Sequence, residues 1–196
     1  MLNNYFLLAL LVMGGIFISC DKDDDDNTPK TNTISDIVVS DNRFSILEKA
    51  LIKTGLTTTL ATSSGAFTVF APTDDAFTAF LTSAGFAKVE DVPVDVLKSV
   101  LLYHVLGAKV PSSAVTTGYA YTLSPVDNNK FLSLFIEKSS GVKINNYAMV
   151  TTADVQADNG VVHIIDKVIS PLSVGELVAV NPQLSSLANA VVSENY

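Results

Sequence analysis

Apolar and polar positions along this chain change period twice, and those changes divide it. Residues 5–18, YFLLALLVMGGIFI, are an apolar run of 14, and residues 21–27, DKDDDDN, are its opposite. Such a run is too short to span a bilayer as a free helix and has the length of a secretory signal core. A helical period follows. Phe44, Leu47 and Leu51 recur at i, i+3 and i+7, with Ile46 and Ala50 widening the stripe. Asp41 is the predicted N-cap and Gly55 the predicted stop. Residues 67–70 are aromatic and β-branched, so strand-like, and Pro72 ends them. Thr73 can cap a second helix with Asp74 and Asp75 in its first turn, where the dipole favours negative charge. Ala76, Phe77, Phe80 and Leu81 form its apolar side. Residues 95–106, DVLKSVLLYHVL, are apolar on most sides (Val96, Leu97, Val100, Leu101, Leu102) and predict a buried helix stopped by Gly107.

Beyond Gly107 the period becomes two. Strands are predicted at 119–123, 131–138, 142–145, 148–155 and 161–169. Asn159-Gly160 is a two-residue hairpin signal, both positions accepting positive φ. In the last strand Val162, Ile164 and Val168 share a face with Asp166, a carboxylate that needs a hydrogen-bond partner there. Phe131 and Phe135 lie opposite Leu132, Leu134 and Ile136. Helices first, then an antiparallel meander, make an α+β fold.

Composition narrows the function. Removing residues 1–19 leaves 177, enough for one domain with its own core. A single cysteine, Cys20, leaves no second thiol for an internal disulfide. Half of the net charge of −8 sits in residues 21–27, and no Lys/Arg stripe appears, which argues against a nucleic-acid partner. The aspartates alternate at 21, 23 and 25, but Asp26 and Asn32 stand where a calcium loop needs Gly and Glu. Residues 20–32 therefore read as a hydrated acidic tether. The two histidines, His104 and His163, join no converging ligand cluster, so no metal site is predicted. No nucleophile elbow or phosphate loop occurs either, and no catalytic residue or cofactor is assigned.

Three resemblances add to this. Phe17-Ile18-Ser19-Cys20 resembles a bacterial lipobox, which implies a signal peptide at 1–19 and lipidation of Cys20. The segment before it, Met1 to Asn4, departs from that pattern in having no Lys or Arg. Lys22-Asp23-Asp24 just after the cysteine resembles a surface-export signal, implying an outer-membrane, outward-facing lipoprotein held to the membrane by its acyl chains.

FTVFAPTDDAF (67–77), LLYHVL (101–106) and NGVVHIIDKVISP (159–171) together resemble the fasciclin domain, over residues 33–171. That resemblance implies a wedge of antiparallel strands packed with N-terminal and central helices. It implies a non-enzymatic cell-surface adhesion module, with a surface protein or glycan as partner. It also implies a binding role for Tyr103 and His104. The residues themselves, in an apolar helix, favour internal hydrogen bonds, for His104 to Asp166 or the 73–75 loop. Some proteins with this domain carry apolar pigments, which makes a small-molecule carrier the alternative. Finally, residues 173–196 repeat the apolar spacing of 33–56 at an offset of 140. They read as a C-terminal helical segment, either the opening of a truncated second repeat, whose apolar side favours self-association, or a helix that packs on the first domain.

Overall fold

A computed structural model describes residues 32–62, 65–127 and 130–171. The expectations for Cys20, for residues 1–31 and for 173–196 lie outside the described residues.

Helix α1 (Ile34–Ser40) begins in a capping box: Thr33 Oγ1 accepts from the Asp36 N–H, and the Asp36 carboxylate accepts from the Thr33 N–H. Asp41 caps the 3-10 turn Asn42–Phe44, which leads into α2 (Ser45–Thr54). Gly55 ends α2 at φ 69°, as its position predicts. Then come α3 (Thr57–Ala61), β1 (Phe67–Pro72) and α4 (Asp74–Ser83), the last capped by Thr73. A 3-10 turn at Val89–Asp91 precedes α5 (Val94–Tyr103). The strands that follow are β2 (Val105–Leu106), β3 (Gly118–Asp127), β4 (Lys130–Lys138), β5 (Val142–Ile144), β6 (Ala148–Ala157) and β7 (Gly160–Ile165).

Among the described residues, seven strands close into a barrel in chain order. All neighbours are antiparallel except the closing pair. There β1 and β7 run parallel, from Phe67↔Gly160 to Pro72↔Ile165. The sheet is therefore mixed, which corrects the all-antiparallel expectation. Both strands of the seam are covered on both faces: Val162 and Ile164 join the helical core, while Phe70 and Ile165 join the barrel interior. The helical core includes Leu47, Phe77, Leu97 and Leu101; the barrel interior includes Tyr103, Leu134, Ile136 and Ile144.

Three further details differ from the sequence reading. The predicted helix 95–106 ends at Tyr103, because His104 turns its own backbone and ring onto the last helical carbonyls, and Val105–Leu106 become β2. Val96 is half exposed, because the buried stripe of α5 runs through Leu97, Val100 and Leu101. The β6–β7 turn is Asp158–Asn159, since Ala157 pairs with Gly160. Asn159 is not among the residues with positive φ. Gly160 serves the seam instead: a Cβ there would lie 2.2 Å from the Phe67 carbonyl oxygen.

Candidate functional site

The motif residues meet where α5 passes into β2. His104 is 2% exposed. Its Nε2 accepts from the Ile169 N–H at 3.0 Å, so the proton resides on Nδ1, which donates to the Val100 carbonyl at 2.7 Å. Its own carbonyl accepts from the Phe70 N–H at 2.9 Å. One residue thus joins the end of α5, strand β1 and the segment after β7. Burial pushes its pKa down to about 4, the Val100 carbonyl opposing this only in part. Neither sequence-suggested partner is used. Asp166 is exposed and accepts from the Met149 N–H at 2.7 Å.

Tyr103 is fully buried, and its hydroxyl donates to the Ser133 carbonyl at 2.9 Å and accepts from Asn145 Nδ2 at 3.1 Å. Asn145 Oδ1 accepts from the Phe135 N–H at 2.8 Å. Tyr103 and His104 are therefore adjacent in sequence but point into different networks, one toward β4 and β5, the other toward β1 and β7.

Asp74 does more than begin α4. Its carboxylate accepts from the Ile46 N–H at 2.8 Å and from Ser45 Oγ at 2.6 Å, so it caps α2 from a different helix. Asn159, with no exposed surface, accepts from the Ile34 N–H at 2.9 Å. Its Nδ2 donates to the carbonyls of Leu60, at 2.6 Å, and Thr62, at 3.1 Å. Sequence reading took Asn159 for a turn former and missed this.

Ser112, Asp154 and His163 also come together, but in roles that exclude a nucleophilic triad. Ser112 gives both its hydroxyl and its backbone N–H to the Asp154 carboxylate, which these bonds hold below the usual carboxylate range. The Asp154 N–H donates to His163 Nδ1 at 3.2 Å, and His163 Nε2–H donates to the Val110 carbonyl at 3.0 Å. No ring nitrogen addresses a hydroxyl, as a base must. Asp154 sits at φ 61°, a mid-strand irregularity that the predicted strand 148–155 did not reveal. Together with Thr68, whose hydroxyl bonds Ala108 and Val110, this group pins the loop between β2 and β3.

Outside the interior, Tyr119, Tyr121, Val126 and Phe131 are exposed on β3 and β4. Phe135, the expected companion of Phe131, is buried beneath Tyr119. Among the described residues, a crevice of about 20 Å³ lies between Leu47, Leu51, Leu60, Leu101 and His104, room for one water. No helix of the described residues is long and apolar enough to cross a membrane, and no group of three or more potential metal ligands occurs among them.

The fasciclin domain family profile matches residues 42–171. Protein sll1735 of Synechocystis sp. is 38% identical over 136 residues, covering 69% of this chain and 96% of that protein. Transforming growth factor-beta-induced protein ig-h3 of Sus scrofa is 34% identical over 144 residues, 74% of this chain but 20% of that protein. Among solved structures, a FAS1 domain pair from the insect cell adhesion molecule Fasciclin I aligns at a TM-score of 0.42 and 19% identity, over 79% of this chain and 50% of that one.

Proposed function

The chain belongs to the fasciclin domain family, and on that premise we propose that it is a non-enzymatic adhesion module displayed at a cell surface. The observation that carries this is the use made of the motif side chains. Asp74, Tyr103, His104 and Asn159 all satisfy backbone or side-chain groups of the fold itself. Tyr103, His104 and Asn159 are buried as well, with at most 2% of their surface exposed, and are committed to the core. What remains to act is the outer surface, which suits adhesion.

In this reading Cys20 carries the acyl chains, residues 20–32 hold the domain away from the membrane, and the whole is an outward-facing outer-membrane lipoprotein. Residues 173–196 favour contact between copies. Single-site affinity is modest, and many anchored copies supply avidity. The alternative is a carrier of pigment or lipid; among the described residues the crevice beside His104, at about 20 Å³, is too small to enclose such a cargo.

The test pairs protease shaving of intact cells with mass spectrometry of the mature N-terminus and an adhesion assay. Acylated Cys20, loss of the domain on shaving and adhesion of the displaying cells are expected. A protected or non-adhesive chain overturns the proposal. A pigment or lipid that co-purifies in stoichiometric amount favours the carrier.

A further inference from the structure

Three aromatic side chains project from one outer face of the β3–β4 hairpin. Tyr119, Tyr121 and Phe131 are 43%, 77% and 45% exposed. Register places Tyr119 opposite Phe135, Tyr121 opposite Ser133 and Phe131 opposite Pro125. Tyr119 leans on Phe135, with ring centroids 5.2 Å apart, so its ring is braced before any ligand arrives. Residues at i and i+2 of a strand stand about 6.6 Å apart, the scale of one pyranose ring.

Tyr121 and Phe131 also flank a groove of about 370 Å³ with Gly107, Ala108 and Ala120 in its lining. The groove exists because β2 and β3 share a single pair, Leu106↔Thr122, and the residues beside it are small. Small-ligand sites span roughly 300–1,000 Å³.

We propose that this shelf and groove bind a neutral glycan, with a pyranose ring stacked on Tyr121. The inference rests on the adhesion reading and names its ligand and site. Two observations choose the occupant. Residues 107–171 hold five Lys and five Asp or Glu, so this half of the domain presents no net field to an acidic polysaccharide. Three partly exposed aromatics, each worth about 150–250 Å² when fully buried, offer roughly 300 Å². A second copy of the chain needs about 800 Å² per partner. A tyrosine ring has an apolar face and a hydroxyl at its edge, the complement of a sugar with a C–H face and a hydroxyl rim.

The test applies the full-length chain, in a detergent without a sugar headgroup, to an array of neutral oligosaccharides with heparin alongside. At least one neutral oligosaccharide should bind with roughly millimolar affinity or better. Tyr121→Ala should weaken it about tenfold or more, while Tyr121→Phe and Tyr121→Trp keep it. An unchanged unfolding midpoint checks that these variants fold. Silence across the neutral array, tighter binding of heparin, or an unchanged affinity in Tyr121→Ala overturns the proposal. Cell adhesion that survives Tyr121→Ala leaves the adhesion reading standing and removes this site. Tyr121-dependent glycan binding by a chain that cells do not display supports the site and removes the surface reading.

Discussion

Acid should weaken this fold through His104 before it weakens it through any carboxylate. In the folded chain the ring is neutral, its Nδ1–H committed to Val100 and its Nε2 to the Ile169 N–H. A second proton on Nε2 would face that N–H donor with another donor, inside the core. Burial accordingly lowers the pKa from 6.5 to about 4. The sign follows directly. Above pH 6.5 both folded and unfolded chains hold the ring neutral, and the stability is intact. As pH falls from 6.5 toward 4, the unfolded chain takes up a proton that the folded chain refuses, so stability declines. Below pH 4 both are protonated and the decline from this group stops. At 1.36 kcal/mol per pKa unit the loss across the window is about 3 kcal/mol, a large part of a typical 5–15 kcal/mol. The assay is urea unfolding of the full chain, followed by far-UV circular dichroism because the chain has no Trp, at intervals from pH 7.5 to 4. His104→Gln is the comparison: its amide can donate to Val100 and accept from Ile169 but cannot titrate. Wild type should lose about 3 kcal/mol more than His104→Gln between pH 7 and 4. Parallel pH profiles for the two proteins would show that His104 does not set the acid sensitivity of the fold, whatever the stability of the variant at pH 7.

Four other outcomes are expected. Tyr103→Phe strands the Ser133 carbonyl and Asn145 Nδ2 and should cost about 1–2 kcal/mol in urea unfolding, with adhesion of the folded protein unchanged. Asn159→Ala removes three hydrogen bonds from a site with no exposed surface and should cost about 2–4 kcal/mol, with amide exchange accelerated in α1 and α3. Gly160→Ala drives a methyl into the Phe67 carbonyl across the parallel seam, and circular dichroism should find little or no folded protein. Asp154→Ala should loosen the loop at 107–117, seen as faster amide exchange there, while Asp154→Asn, which tolerates φ 61°, should loosen it less.

What could be read from the sequence was local. Thr73 caps α4 and Gly55 closes α2 because a cap and a C′ glycine act within a turn of their own helix. The alternation beyond Gly107 found β3 to β7 within a few residues. The misses were non-local. Nothing within residues 67–72 announces that they pair in parallel with a strand more than ninety residues later, and the closure of the barrel depends on that pairing. The predicted helix 95–106 ran too far because Val105 and Leu106 are apolar in either period; a side-chain hydrogen bond from His104 decides the boundary. Asp166, read as the odd charge on an apolar face, lies just past the end of β7, where it and Lys167 turn outward between the buried Ile165 and Val168. At the candidate site the residue types were visible but their partners were not. Asn159 reaches Ile34, Leu60 and Thr62 across about a hundred residues, and no spacing rule encodes that.

If the motif residues hold the fold while the outer surface adheres, cells displaying the full chain and cells displaying His104→Gln at equal, folded surface density should adhere equally at pH 7. Failure of the wild type to adhere, or a folded His104→Gln that is displayed but does not adhere, would contradict that division of roles.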